Sequence, residues 1–301
     1  MLANFFSKSK PVNFVILFLL FVVYFSISLF LKDISILNAV KKAIIFMLIF
    51  SVYNFILLKN ELAKDNSFAF LFYVILVGFY INYIQINSVF YNNLLSLFLF
   101  RKVYSLQSSK KTYQKLFDGG LWSGVLFIIE PHTVIFILLL YVAIYLYNHL
   151  TYRTLIIPIF GFIVPVFIFY TYNFVLNQTD FFFSLFSWEI SLDFSPYNSG
   201  NFLFSSITIG IFTLISILIK SPQTFAILDK SRQNWILILT HLFLSLLVFI
   251  QNSERTGIEF LYLLFPISVI LANGIELVKK KWLADIIILL FLVASTIQIL
   301  T

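Results

Sequence analysis

The stretch Asp118-Gly119-Gly120-Leu121-Trp122-Ser123-Gly124-Val125-Leu126-Phe127-Ile128-Ile129-Glu130-Pro131-His132-Thr133 decides how this chain is threaded. Its apolar run is continuous rather than alternating, which reads as helix and not as strand. Pro131 has no N–H and disfavours helical geometry at the residue before it, so the run breaks at Glu130. Two segments follow from that break, Gly119–Ile129 and Thr133–Tyr147. From Asp118 to Glu130 a helix climbs only about 18 Å, against a bilayer core about 30 Å thick. Two half-length helices meeting inside the membrane are expected, with Glu130-Pro131-His132 below the outer surface.

The 301-residue chain around this stretch is 61% hydrophobic and 11% charged, whereas a soluble domain is roughly 25% charged. Its mean hydropathy is +0.99. So few charges cannot cover a soluble fold of this size, which excludes a soluble enzyme, a disordered chain and a peripheral protein. The absence of cysteine excludes disulfides, thiolate metal sites and a cysteine nucleophile. What remains is an all-α polytopic membrane protein, residues 1–301 forming a single integral membrane domain. The apolar runs predict eleven segments: Phe14–Leu31, Ala43–Leu58, Phe68–Ile84, Ser88–Phe100, Gly119–Ile129, Thr133–Tyr147, Leu155–Leu176, Phe202–Ile219, Trp235–Ile250, Ile258–Asn273 and Trp282–Leu300. The first reads as an uncleaved anchor, because Lys32-Asp33 follows it and no small-residue cleavage site does.

Lys and Arg collect in cytoplasmic loops. With the N-terminus cytoplasmic and eleven alternating crossings, only Lys32, Lys41, Lys42 and Arg255 fall outside; the other sixteen of the 20 basic residues fall inside. Reading Gly119–Tyr147 as a single crossing divides the basic residues equally between the two sides. The bias therefore supports the break at Glu130 and a multi-pass protein of the bacterial cytoplasmic (inner) membrane. It also explains the net charge of +7 without a nucleic-acid partner.

Ionisable residues within a membrane are costly and tend to mark function. Glu130 and His132, at the break, are suited to bind a cation, move a proton or grip a hydroxyl, or else to fix helix packing as a pair. Asn92 and Asn93, near Asn82, Gln85 and Asn87, either line a polar cavity or hydrogen-bond between helices. Gly120 and Gly124 have the spacing that lets helix backbones approach closely. The outer loop Asn177–Asn201 carries Asp180, Glu189 and Asp193 among Trp188 and several Phe. It suits either membrane-surface anchoring or a carboxylate site beside a lipid-borne substrate. Arg255 and Glu259 can pair at i, i+4. The basic loop Arg101–Phe117 is expected as an amphipathic helix on the anionic inner leaflet.

The start Asn4-Phe5-Phe6-Ser7-Lys8-Ser9-Lys10-Pro11-Val12-Asn13, with Arg101-Lys102-Val103-Tyr104-Ser105-Leu106 and Lys115-Leu116-Phe117-Asp118-Gly119-Gly120-Leu121-Trp122, resembles a family of uncharacterised polytopic inner-membrane proteins of the Bacteroidota. Some members carry a beta-carotene monooxygenase label. Soluble carotenoid oxygenases hold iron with four His; this chain has three, His132, His149 and His241. A looser resemblance is to membrane glycosyltransferases that use polyprenyl-phosphate sugars. It implies a catalytic acid just after the first span, where Asp33 stands. Three roles are therefore expected in turn. The first is transport or lipid handling through an outward-facing polar cavity at Glu130, His132, Asn92, Asn93, Trp188 and Asp193. The second is an enzyme using Asp33, Glu130 or Glu189, and the third is a structural subunit of a membrane complex. Partners would be the lipid bilayer, a lipid-linked or small polar substrate and another membrane protein; no metal or cofactor is expected.

Overall fold

Residues 68–80 are apolar on every face apart from the tips of Tyr73 and Tyr80, and a helix of that kind has to be surrounded by other helices. The computed structural model describes residues 2–32, 35–63, 65–187, 193–198, 200–226, 230–252 and 255–300, and every regular element among them is helical. In it α4 (Phe68–Tyr80) is buried along its whole length. The helices before it are α1 (Leu2–Phe6), α2 (Pro11–Lys32) and α3 (Ile36–Asn60). After it come α5 (Ser88–Ser105), α6 (Thr112–Ile129), a 3-10 turn over Pro131–Phe136, α7 (Ile137–Leu146) and α8 (Tyr152–Val175). A short α9 (Thr179–Ser184) precedes α10 (Gly200–Phe225), α11 (Lys230–Gln251), α12 (Leu261–Glu276) and α13 (Lys281–Leu300).

The centre is a pair, α4 against α12. All of Leu261–Ile275 in α12 is buried. Helices α2 and α13 pack on α4, α10 and α11 pack on α12, and α3 packs on α5. From there the chain leads outward through α6 to α8. Among the described residues seven helices are long and apolar enough to cross a membrane: α2, α3, α8, α10, α11, the run Ile258–Glu276 and α13. Buried share separates them. The hydrophobic window of α8 is 17% buried and that of Ile258–Glu276 is 94% buried. A long apolar helix with so little of it buried suits a lipid-facing place, whereas a helix apolar on every face is enclosed by protein. Helix α4, at 13 residues, is of the second kind.

Hydrogen bonds between side chains tie the layers at sparse points. Tyr53 Oη lies 2.6 Å from Ser268 Oγ, joining α3 to α12, and Tyr24 Oη lies 2.6 Å from Ser295 Oγ, joining α2 to α13. The N-terminal turn folds back on the same end: Ala3 N–H donates to Asp285 at 2.7 Å, and Ser67 N–H to the Phe6 carbonyl at 3.0 Å. Asn13, fully buried, donates to the Lys8 carbonyl at 2.7 Å and to Ser67 Oγ at 3.0 Å.

Four expectations need correcting. Helix α6 begins at Thr112 and has 18 residues, about 27 Å, so it is not a half-length helix. The run of polar residues before Gly119 continues the helix instead of ending it. For the same reason the loop Arg101–Phe117 is no surface helix. It is the last turn of α5, a turn through Lys111 in the left-handed conformation (φ 55°) and the first turns of α6. The second segment, expected from Ala43, starts earlier. Helix α3 starts at Ile36, which carries Lys42 inside, where its Nζ donates to the Ile81 carbonyl at 3.2 Å. Glu259 is likewise buried, with Thr256 Oγ1 3.5 Å away, while Arg255 donates to the Phe249 and Ile250 carbonyls, each at 2.8 Å, capping α11.

Candidate functional site

The break at Pro131 has the geometry its chemistry requires. Glu130 is extended (φ −139°, ψ 96°) and closes α6, and Pro131 opens the 3-10 turn into α7. The turn's own bonds hold it in place: Thr133 Oγ1 and N–H both donate to the Glu130 carbonyl, at 2.6 and 3.0 Å. The Glu130 side chain then turns back toward α5. Ser88 Oγ donates to Oε1, and His132 Nε2 lies 3.1 Å from Oε2. Glu130 and His132 are 14% and 15% exposed at the side chain, enough for a ligand atom to reach them. Each carboxylate oxygen retains a second lone pair. The group can therefore accept a further donor, coordinate a cation or exchange a proton with the imidazole.

Behind this pair the polar contacts continue inward. Asn92 donates to Thr133 Oγ1 at 3.3 Å and to Tyr262 Oη at 3.2 Å. Asn93 donates to the Leu261 carbonyl at 3.0 Å. Both asparagines are buried, so they bridge α5 to the break and to α12. Asn87, read alongside them, caps α5 by accepting from Phe90 N–H at 3.1 Å, and Asn82 donates to the Ile299 carbonyl at 2.8 Å. Asn92 and Asn93 thus bond between helices, whereas Asn87 caps its own.

The loop Asn177–Asn201 divides. Asp33, Trp188 and Glu189 lie outside the described residues. Asp193 is exposed, and its carboxyl is held below the usual carboxylate range by hydrogen bonds from Ser195, first from the backbone N–H at 2.9 Å, with Arg255 adding to it. Phe182 and Leu185 fold under α8 with Phe127, leaving Phe181, Phe183 and Phe186 exposed as a greasy edge. Tyr197 stacks on Phe202 at 5.0 Å. The Phe-rich half of this loop is therefore an anchor against α6 and α8.

The glycine reading holds, with a partner that the sequence reading missed. A methyl group added at Gly120 would run into the Pro158 carbonyl, and one at Gly124 would sit 2.5 Å from both the Phe162 carbonyl and Pro165 Cγ. Gly161, on α8, faces the Phe117 carbonyl in the same way. The signal was present as Pro158, Gly161 and Pro165, a small-residue face of α8 opposite Gly120 and Gly124.

The three histidines stay apart. His132 is at the break. His149 bonds to the Leu106 carbonyl at 2.9 Å, beyond the other end of α5, and the buried His241 bonds to Tyr104 Oη at 2.9 Å. Among the described residues no group of three His, Cys, Asp or Glu side chains could hold a metal ion. Sequence reading also missed Ser88 and Tyr262, which contact the site from positions that look like ordinary helix residues. It read Arg101, Lys102, Lys110, Lys111 and Lys115 only as inner-face charge. No curated protein and no solved structure matches the chain. Residues 1–298 match the sequence profile of DUF6427, a family of unknown function, and the chain belongs to that family.

Proposed function

We propose that this chain crosses the inner membrane of a bacterium eleven times, N-terminus in the cytoplasm, and moves or handles a lipid-linked or small polar substrate through Glu130 and His132 on the outer side. Alternation supports the eleven crossings. Helices α5 and α6 bring Ser88 and Glu130 together at one end and Lys102 and Asp118 together near the other, at 2.6 Å. The shorter α4, α5, α6 and the run Pro131–Leu146 would then cross beside the seven long helices. The basic residues crowd the Lys102 end, which suits a cytoplasmic face.

One observation carries the functional reading. A carboxylate, a hydroxyl and an imidazole converge at a backbone break, mostly buried yet open to a ligand. Ionisable side chains held among helices where two crossings meet are costly and tend to mark function. The chain's lack of cysteine makes the test direct. Single Cys replacements at His132 and Glu189, with Lys110→Cys and Lys230→Cys as controls, are treated in whole cells with a membrane-impermeant thiol reagent. Position 132 is expected to label from outside while 110 and 230 stay protected. Labelling of 132 from neither side, or only after the cells are opened, would sink the outward-facing site. Native mass spectrometry of the wild type and Glu130→Ala then reads the cargo, expected as a bound mass that the variant loses.

A further inference from the structure

At the opposite end of α5 and α6 from Glu130 lies a cavity of about 610 Å³, within the range of about 300–1,000 Å³ typical of ligand sites. Lys59, Arg101, Lys102, Lys110, Lys111 and Lys115 line it, with Lys230 at its edge. They come from α3, α5, the turn before α6, α6 itself and α11. Asp118 is the acid in this wall, and it takes Lys102 at 2.6 Å. Lys230 leans 3.6 Å from Glu61. Among the described residues Lys59, Arg101, Lys110, Lys111 and Lys115 have no acidic partner.

Two of these cations are held by one ring. The Arg101 guanidinium lies 4.8 Å and the Lys59 ammonium 5.1 Å from the centre of the Phe55 ring. Lys115 is fixed by donating to the Ser105 and Ser108 carbonyls at 2.6 and 2.8 Å. Neutral donors complete the wall at Asn60, Gln107 and Gln114. Orientation in the membrane calls for cations on the inner side, but not for their convergence on one concave space, where like charges repel. Lys8, Lys10 and Lys279–Lys281 satisfy the same bias without lining this cavity.

We infer that this cavity binds a phosphate-bearing anion carrying more than one negative charge, either soluble or the headgroup of a lipid. An arginine and several lysines around neutral donors form the recognition set for phosphate oxygens. Such a site lies at the other end of the helices from Glu130 and does not depend on the reading of that residue.

The wild-type chain tests this without substitution. Purified full-length protein in lipid-free detergent micelles is acylated at its amines with and without inorganic pyrophosphate, and each lysine is read by mass spectrometry. Lys59, Lys110 and Lys111 are expected to label several-fold more slowly with pyrophosphate, and Lys8, Lys10 and Lys279–Lys281 at unchanged rates. Arg101→Gln is expected to erase the protection. A second arm uses nanodiscs of phosphatidylcholine with or without cardiolipin, whose headgroup carries two phosphates, and no added anion. Protection by pyrophosphate in micelles assigns a soluble anion, and protection only with cardiolipin assigns a headgroup. Protection absent from both arms, or equal at every lysine, overturns the site.

Discussion

Gly120→Leu is expected to abolish recovery of folded protein, and Gly120→Ala to lower the unfolding midpoint in detergent clearly. The obstacle is the Pro158 carbonyl of α8, which is backbone and cannot rotate aside. Relief requires the two helices to separate, which also strips the contacts that Gly124 and Gly161 allow. Overpacking of this kind costs about 1–3 kcal/mol where side chains can yield, and more where only backbone can move. Two other glycines calibrate the claim. A methyl at Gly119 meets the flexible Leu140 side chain at 2.7 Å, so Gly119→Ala is expected to be mild. Gly210 has nothing within 4 Å, so Gly210→Ala is expected to be neutral or to gain up to about 1 kcal/mol of helix propensity. The check is the monodisperse fraction on size exclusion together with the thermal midpoint. A monodisperse Gly120→Leu with an unchanged midpoint would remove close α6–α8 packing from the fold.

Hydropathy made the class of this protein legible. So did the break at Glu130, because Pro131 acts through covalent geometry and no tertiary context can restore its missing N–H. Segment ends were less legible. Thr112-Tyr113-Gln114-Lys115 looks like loop by hydropathy, yet nothing in it breaks a helix, and α6 runs through it. Lys41-Lys42 looks like a boundary, yet α3 begins at Ile36. Charge marks where the membrane is left, not where a helix starts, and the two differ wherever a lysine finds a carbonyl, as Lys42 does at Ile81.

The candidate site was legible in part. Glu130 and His132 are two residues apart, so their pairing follows from local chain geometry. Ser88 joins them across 42 residues of sequence and Tyr262 reaches Asn92 across 170; neither partner carries a sequence mark that separates it from its neighbours. The basic cavity was hidden for a different reason. Each of its cations has a sufficient explanation in the inner-side bias. Only three-dimensional placement reveals that residues from Lys59 to Lys230 surround one space.

Asn234→Leu is the substitution expected to cost most among the buried polar groups, about 2 kcal/mol. Its Oδ1 accepts from Tyr147 Oη at 2.7 Å and from Gln107 Nε2 at 3.3 Å, and its Nδ2 donates to the Asn60 carbonyl at 3.2 Å. One side chain thus joins the ends of α3, α5, α7 and α11. Leucine fills a similar volume but orphans two donors and a carbonyl, and an orphaned buried group costs about 1–3 kcal/mol. The sum is not reached, because a cavity of about 600 Å³ beside Asn234 admits water to part of the cluster. Tyr24→Phe supplies the scale. It removes one 2.6 Å contact with Ser295 between two helices and keeps the ring, and single interhelical bonds in membranes are worth only about 0.6 kcal/mol. The two variants are compared by thermal midpoint in one detergent. A shift for Asn234→Leu no larger than that for Tyr24→Phe would show that the four helix ends are held by apolar packing alone. A shift several times larger would place the joining of these four helix ends in this one amide.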